Sequence, residues 1–183
     1  MNTVVAFAGT KRIAEGTLAE VSLAAKRVLF EGTVGSVLLF DCETGQQVDI
    51  DYRAPEEVAE PAAEVRKPGR PKLGVVAREV TLLPRHWEWL GSQPGGASVA
   101  LRKLVEEAGR KSEGPDRVRK AREAVYRFVT AMAGNEPGYE EALRALFAGD
   151  GDRFRMYASA WPADVRDHAC GMAGAAFVAN DEK

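Results

Sequence analysis

The sequence predicts an α+β protein: a small N-terminal β-β-α-β-β unit, a flexible basic linker, then a strand and a mainly helical C-terminal region. Three observations lead there. Residues 3–53 hold short runs of β-forming residues around a single helical pattern. Residues 53–74 hold four prolines and a sharp change of charge. From Pro84 onward, apolar residues recur at helical spacing nearly to the end of the chain.

Thr3–Ala8 is rich in β-formers, and Ala8-Gly9-Thr10-Lys11 can reverse the chain so that Arg12–Glu15 returns as a short strand. Thr17, with Glu20 three residues on, makes a capping box for a helix carrying Leu18, Val21, Leu23, Ala25 and Val28 or Leu29 and ending near Gly32. Val37–Phe40 is a buried-type strand. After the turn at Glu43-Thr44-Gly45, Gln46–Tyr52 alternates, with Val48, Ile50 and Tyr52 on one side and Gln47, Asp49 and Asp51 on the other. The two aspartates read as a solvated sheet face.

Residues 54–74 are too rich in proline and charge to bury a core and are expected to be a disordered linker. The domain organisation is then 1–53, an α+β domain; 54–74, the linker; 75–111, a strand and two helices; and 112–183, a helical region. In the third segment Val75–Leu83 is the strand and Pro84 suits the first turn of a helix with Leu83, Trp87 and Leu90 on one face. Gln93-Pro94-Gly95-Gly96 ends that helix, and Ser98 can cap the next, whose stripe is Leu101, Leu104, Val105 and Ala108. Lys111–Pro115 reads as a turn, with Pro115 starting a helix through Val118, Val125, Phe128 and Met132. Pro137-Gly138, Asp150 or Asp152, and Pro162 each mark the start of a later helix.

The net charge of the 183 residues is −2, which excludes a uniformly basic coat for nucleic acid. The charge is nonetheless patterned. Residues 41–64 carry eight acids and one base, and residues 65–86 carry six bases and one acid. Residues 101–128 carry nine bases against five acids, and residues 129–183 reverse that ratio. The two cysteines, Cys42 and Cys170, lack metal-type spacing and fit a reducing compartment. No apolar run approaches the ~20 residues of a membrane span, and the first residues lack a signal-peptide pattern, so the expectation is a cytoplasmic protein with no membrane partner.

Arg66-Lys67-Pro68-Gly69-Arg70-Pro71-Lys72 resembles an AT-hook. The resemblance implies an extended peptide in the minor groove, with Arg70 entering it, Gly69 allowing close approach, Pro71 holding the shape, and Arg66, Lys67 and Lys72 adding phosphate contacts. The family has arginine just before the glycine; Pro68 stands there in this chain, which removes one groove-entering side chain. Without DNA, the same run is a charged Pro/Gly linker.

Residues 75–111 resemble the ribbon-helix-helix repressors and antitoxins. That resemblance implies a homodimer, with the strand paired to its copy in a second chain and the ribbon in the major groove. It makes Arg78 and Thr81 candidates for base contacts and Ser98, with the amides near Ala97 and Val99, the candidate phosphate clamp. The strand departs from the family pattern: Arg78, Val80 and Leu82 share one face, Glu79, Thr81 and Leu83 the other, and neither face is cleanly polar. The rival is a strand that joins the chain's own sheet, followed by a structural helical hairpin.

Nearly the whole chain resembles a bacterial domain-of-unknown-function family, number two-two-three-nine. Leu18-Ala19-Glu20-Val21, Val80 to Leu90, Gln93 to Ser98 and Trp161 to His168 carry that resemblance, which implies no activity.

Nothing points to an enzyme. His86 and His168 are the two histidines; His168 and Cys170, two apart on a helix, face apart. No P-loop, dinucleotide glycine pattern or zinc spacing is present. Asp150 and Asp152 around Gly151 lack the terminal acidic ligand of a calcium loop. Trp87 and Trp89 suit core or rim packing better than base stacking. The expectation is a non-enzymatic DNA-binding protein, a regulator with a preference for A·T-rich sites and without cofactor or metal. The alternative is a helical protein-interaction or structural module that binds no nucleic acid.

Overall fold

The fold grows from a five-residue strand that is apolar at every position. β1 (Val4–Ala8, VVAFA) turns through Gly9, whose φ of +59° a side chain would resist, into β2 (Lys11–Gly16). β3 (Val37–Asp41) pairs antiparallel on the other side of β1, giving the order β2-β1-β3. The computed structural model describes residues 3–32, 36–50, 76 and 78–177. Two compact units are present: residues 1–52 together with 112–183, and residues 53–111.

In the first unit, α1 (Leu18–Phe30) opens with the expected capping box: Thr17 Oγ1 accepts from the Glu20 amide, and the Glu20 carboxylate accepts from the Thr17 amide at 2.9 Å. Val21 and Ala25 are its buried residues, while Leu18 and Leu23 of the predicted apolar face are exposed. Val21 and Ala25 pack with Val4, Ala6 and Leu39 on one face of the sheet. A bulge at Ile13 lets both Ile13 and Ala14 of β2 join that layer.

The other sheet face presents Val5, Phe7 and Phe40, and helices from the C-terminal part of the chain cover it. These are α3 (Gly96–Ala133), α4 (Tyr139–Ala148), α5 (Gly151–Ala158) and α6 (Ala163–Ala173), followed by a 3-10 turn at Gly174–Ala176. Phe7, Phe40 and Phe128 form an aromatic triangle with centroids 5.1–6.4 Å apart. The strands of the predicted N-terminal domain, 1–53, therefore share one core with the helices. Asp150 caps α5 by accepting from the Arg153 amide at 3.0 Å, and Trp161 Nε1 donates to the Pro137 carbonyl at 3.0 Å. Arg122 donates to the carbonyls of Phe147 and Ala176, both at 3.3 Å, tying the ends of α4 and the 3-10 turn to α3.

Three expectations differ from the structure. Gln46–Tyr52 is not a strand over its described residues; one bridge pairs Gln47 with Phe40, and the Val48 amide donates to the Leu39 carbonyl. Residues 76 and 78–83 carry no strand within this chain, so the rival in which they join its own sheet fails for the described residues. The turn at Lys111–Pro115 is absent: α3 runs through it, with Pro115 inside. Proline's fixed φ is helical, so the loss is the hydrogen bond that the Lys111 carbonyl would accept. Ion pairs spaced three or four residues apart hold the helix on either side, Lys111 to Glu107 at 2.7 Å and Arg119 to Asp116 and Glu123 at 3.0 and 3.2 Å. The boundary between the two units falls between Lys111 and Ser112.

Asp41 organises the turn after β3: its Oδ1 accepts from the Glu43 amide at 3.0 Å and from the Thr44 amide and hydroxyl at 2.7 and 2.9 Å. Arg127 Nη1 donates to the Thr44 carbonyl at 3.0 Å, and Gly45, with φ +65°, lies directly against the backbone of Ala124. A methyl group at Gly45 would overlap the Ala124 carbonyl, whereas one at Gly9 would meet nothing within 4 Å. Gly45→Ala is expected to lower unfolding stability by about 2–4 kcal/mol, and Gly9→Ala by only about 1 kcal/mol, as measured by urea titration. Equal losses would contradict the close packing of this turn on α3.

Candidate functional site

The second unit holds the described part of the sequence-predicted DNA-binding residues. Arg66, Lys67, Gly69, Arg70, Pro71 and Lys72, with the remainder of the predicted linker, lie outside the described residues. Arg78 and Thr81 are exposed in an irregular segment that leads into α2 (Pro84–Ser92). Pro84 occupies the first position of α2, as its missing amide hydrogen permits. Gln93-Pro94-Gly95 then turns the chain into α3, with Gly95 and Gly96 at φ +87° and +73°. A Cβ at Gly95 would lie 3.2 Å from the Val99 side chain, so the tight entry depends on glycine.

Ser98 does not cap α3. The helix begins at Gly96, two residues earlier than the serine signal implied, because the positive-φ glycines at 95 and 96 turn the chain directly into it, and Ser98 lies exposed inside the first turn. Its carbonyl accepts from Arg102 Nε at 3.1 Å. The Gly96 amide is used by the Gln93 carbonyl at 2.9 Å, leaving the amides of Ala97 and Ser98 as first-turn donors with no partner in the preceding helical turn. The segment before α2 and the start of α3 thus supply a cation at Arg78, hydroxyls at Thr81 and Ser98, all three residues exposed, and backbone donors beside them.

The apolar side chains of this unit are conspicuously uncovered. Among its described residues only Leu90 and Ala100 are buried hydrophobics. Val76 is 72% exposed, Val80 58% and Val105 68%, with Leu83, Trp87, Trp89 and Leu104 close to half exposed. Trp87 and Trp89 are therefore not core residues of this chain alone.

The first unit offers fewer chemical groups. No cluster of three metal-ligating side chains exists among the described residues. Asp150 is engaged as a helix cap and Asp152 pairs with Arg155 at 2.6 Å, so neither is arranged around a cation. Between α4 and α5, Glu141, Arg144, Asp150, Arg153 and Tyr157 line a solvent-open groove of about 260 Å³ whose ion pairs are loose, 3.5 and 3.7 Å. Burial pushes the Cys42 thiol up to about 11, with the carboxylates of Glu15 and Asp41 adding to the effect and Arg12 opposing it. Cys170 is raised as well, chiefly by burial. Neither thiol is arranged as a nucleophile. His168, which local reasoning left without a role, is buried beside Phe7 and Phe128; its place in the apolar spacing of Val165, Ala169 and Met172 was the available signal.

No helix of the described residues is long and apolar enough to cross a membrane. The chain matches, over residues 3–173, the bacterial family described as "uncharacterized protein conserved in bacteria" (DUF2239), and it belongs to that family. No curated protein and no solved structure matches it.

Both thiols should alkylate slowly in the folded protein. At pH 8, Cys42 is expected to react with iodoacetamide roughly a hundredfold more slowly than an ordinary thiol, and at the ordinary rate once the chain is unfolded. Rapid labelling of Cys42 in the native state would show that its surroundings are not as drawn.

Proposed function

We propose that this member of the family is a non-enzymatic DNA-binding protein, a transcriptional regulator acting as a homodimer through residues 66–111. The observation that carries the reading is the uncovered surface of the second unit. A helix–turn–helix pair with Val80, Leu83, Trp87, Leu104 and Val105 in solvent cannot be stable on the burial of Leu90 and Ala100 alone. A second copy would cover that surface, and residues 76–83 would pair with their counterpart to satisfy backbone groups that, among the described residues, form no strand within one chain.

The chemistry beside that surface suits a polyanion. Arg78 and Thr81 precede α2, and Ser98 lies among the unpartnered amides that open α3. The basic run Arg66-Lys67-Pro68-Gly69-Arg70-Pro71-Lys72 is adjacent in sequence and would reach the minor groove of A·T-rich DNA beside a ribbon seated in the major groove. A second reading, a protein-interaction module without DNA, is favoured by one observation outside this unit: Tyr126 and Phe147 form an exposed aromatic pair with centroids 6.1 Å apart on α3 and α4.

Arg70→Ala should weaken binding to an A·T-rich duplex and flatten its salt dependence by about one counterion, read from affinities at several salt concentrations. Val80→Glu should convert the dimer to a monomer in sedimentation and abolish DNA binding with it. DNA binding unchanged in the first variant removes the minor-groove contact, and a dimer that persists in the second removes the ribbon. Absence of DNA binding by the unaltered chain at low salt would favour the protein-interaction reading.

A further inference from the structure

We propose that His168 is an acid-sensitive latch, holding α6 on the sheet while its imidazole is neutral and releasing the helix on protonation. The residue is only 9% exposed, and its ring lies edge-on to Phe128 at 4.7 Å and to Phe7 at 5.7 Å, so it joins α6 to both the central strand and α3. Its Nε2 is buried and has no hydrogen-bond partner. A neutral imidazole tolerates this site at the cost of one unsatisfied nitrogen. An imidazolium would place a charge among aromatic rings with no acceptor at Nε2, a far costlier arrangement.

The charged groups around the ring offer little relief. β1 contributes no titratable group, and the neighbours of Phe128 on α3, Val125 and Val129, are apolar. β2 contributes Glu15 and Arg12, which are paired with each other at 3.0 Å. On α6 itself, Asp164 lies one turn before His168, and its Oδ2 accepts from the Arg12 amide at 2.9 Å. Asp164 thereby fastens the first turn of α6 to the edge strand, while His168 holds the second. Burial lowers the pKa of His168 below 6.5; Glu15 partly opposes this and Arg12 adds to it.

The sign of the effect follows. With the folded value below the value of a free imidazole, the attached helix binds the proton less well than the detached one. Attachment is at full strength above about pH 6.5 and weakens as pH falls from there toward the folded value. One proton is involved, so the population of detached α6 rises by up to tenfold per pH unit in that window.

Hydrogen exchange of α6 amides in the full chain between pH 7.5 and 5.0, corrected for intrinsic rates, tests this. The wild-type chain should open α6 more often as pH falls, by up to tenfold per unit, and His168→Phe, which keeps the ring packing and lacks the proton, should show no such rise. A wild-type helix whose opening does not change, or an equal rise in both proteins, would overturn the latch. Should His168→Phe fail to fold, NMR titration of the His168 imidazole decides: protonation concurrent with loss of α6 protection upholds the latch, and protonation with α6 still protected overturns it.

Discussion

Val4, Val5, Ala6 and Phe7 are each at most 4% exposed, and a strand buried on both faces needs a layer of structure on each side. α1 supplies one layer, through Val21 and Ala25. The other must come from later in the chain, because residues 3–50 contain no second helix among those described. Val125, Phe128 and Val129 of α3 and Val165 and Ala169 of α6 provide it. The ends of the chain are thus bound into one unit by the need to keep β1 dry, and residues 53–111 form a separate unit inserted between them.

The polar contacts of the first unit serve the same end. Asp41 folds the turn after β3 so that Gly45 meets Ala124, Arg127 holds the Thr44 carbonyl, and Asp164 occupies an amide of the edge strand β2. An edge amide that is already occupied cannot recruit another strand. His168 stands out against this background: it is buried in an aromatic layer where a phenylalanine would fit without an unsatisfied nitrogen. The energetic cost of keeping it is the physical basis for a role in acid response.

Local signals in the sequence were faithful where the physics is local. The Thr17–Glu20 capping box, Pro84 at the start of α2, the Asp150 cap and strands β1 to β3 all lie close to where their residues indicate. Two kinds of misreading arose. Pro115 reads as a helix start because proline's φ is the same at a first turn and in an interior, and the flanking ion pairs that carry α3 past it are weak signals in sequence. The alternation of Gln46–Tyr52 promised a strand, yet one bridge forms, since alternation reports a face and not a neighbour. The coverage of the sheet's second face by helices far along the chain leaves no periodic trace at all. For the candidate interface, residue types and order were legible; the uncovered apolar surface around α2 was not, because a helical stripe in sequence does not say whether its partner lies in the same chain.

The shared core is tested most directly by native-state hydrogen exchange at neutral pH, comparing amides of Val5 and Phe7 in β1 with those of Val125 and Phe128 in α3. If β1 is buried by helices from the far part of the chain, all four amides exchange through one global opening with a single free energy and a single dependence on denaturant. Exchange of Val5 and Phe7 through a distinct, lower-energy opening, with Val125 and Phe128 still protected, would show that residues 3–50 fold and unfold on their own and would contradict the two-sided burial on which the fold rests.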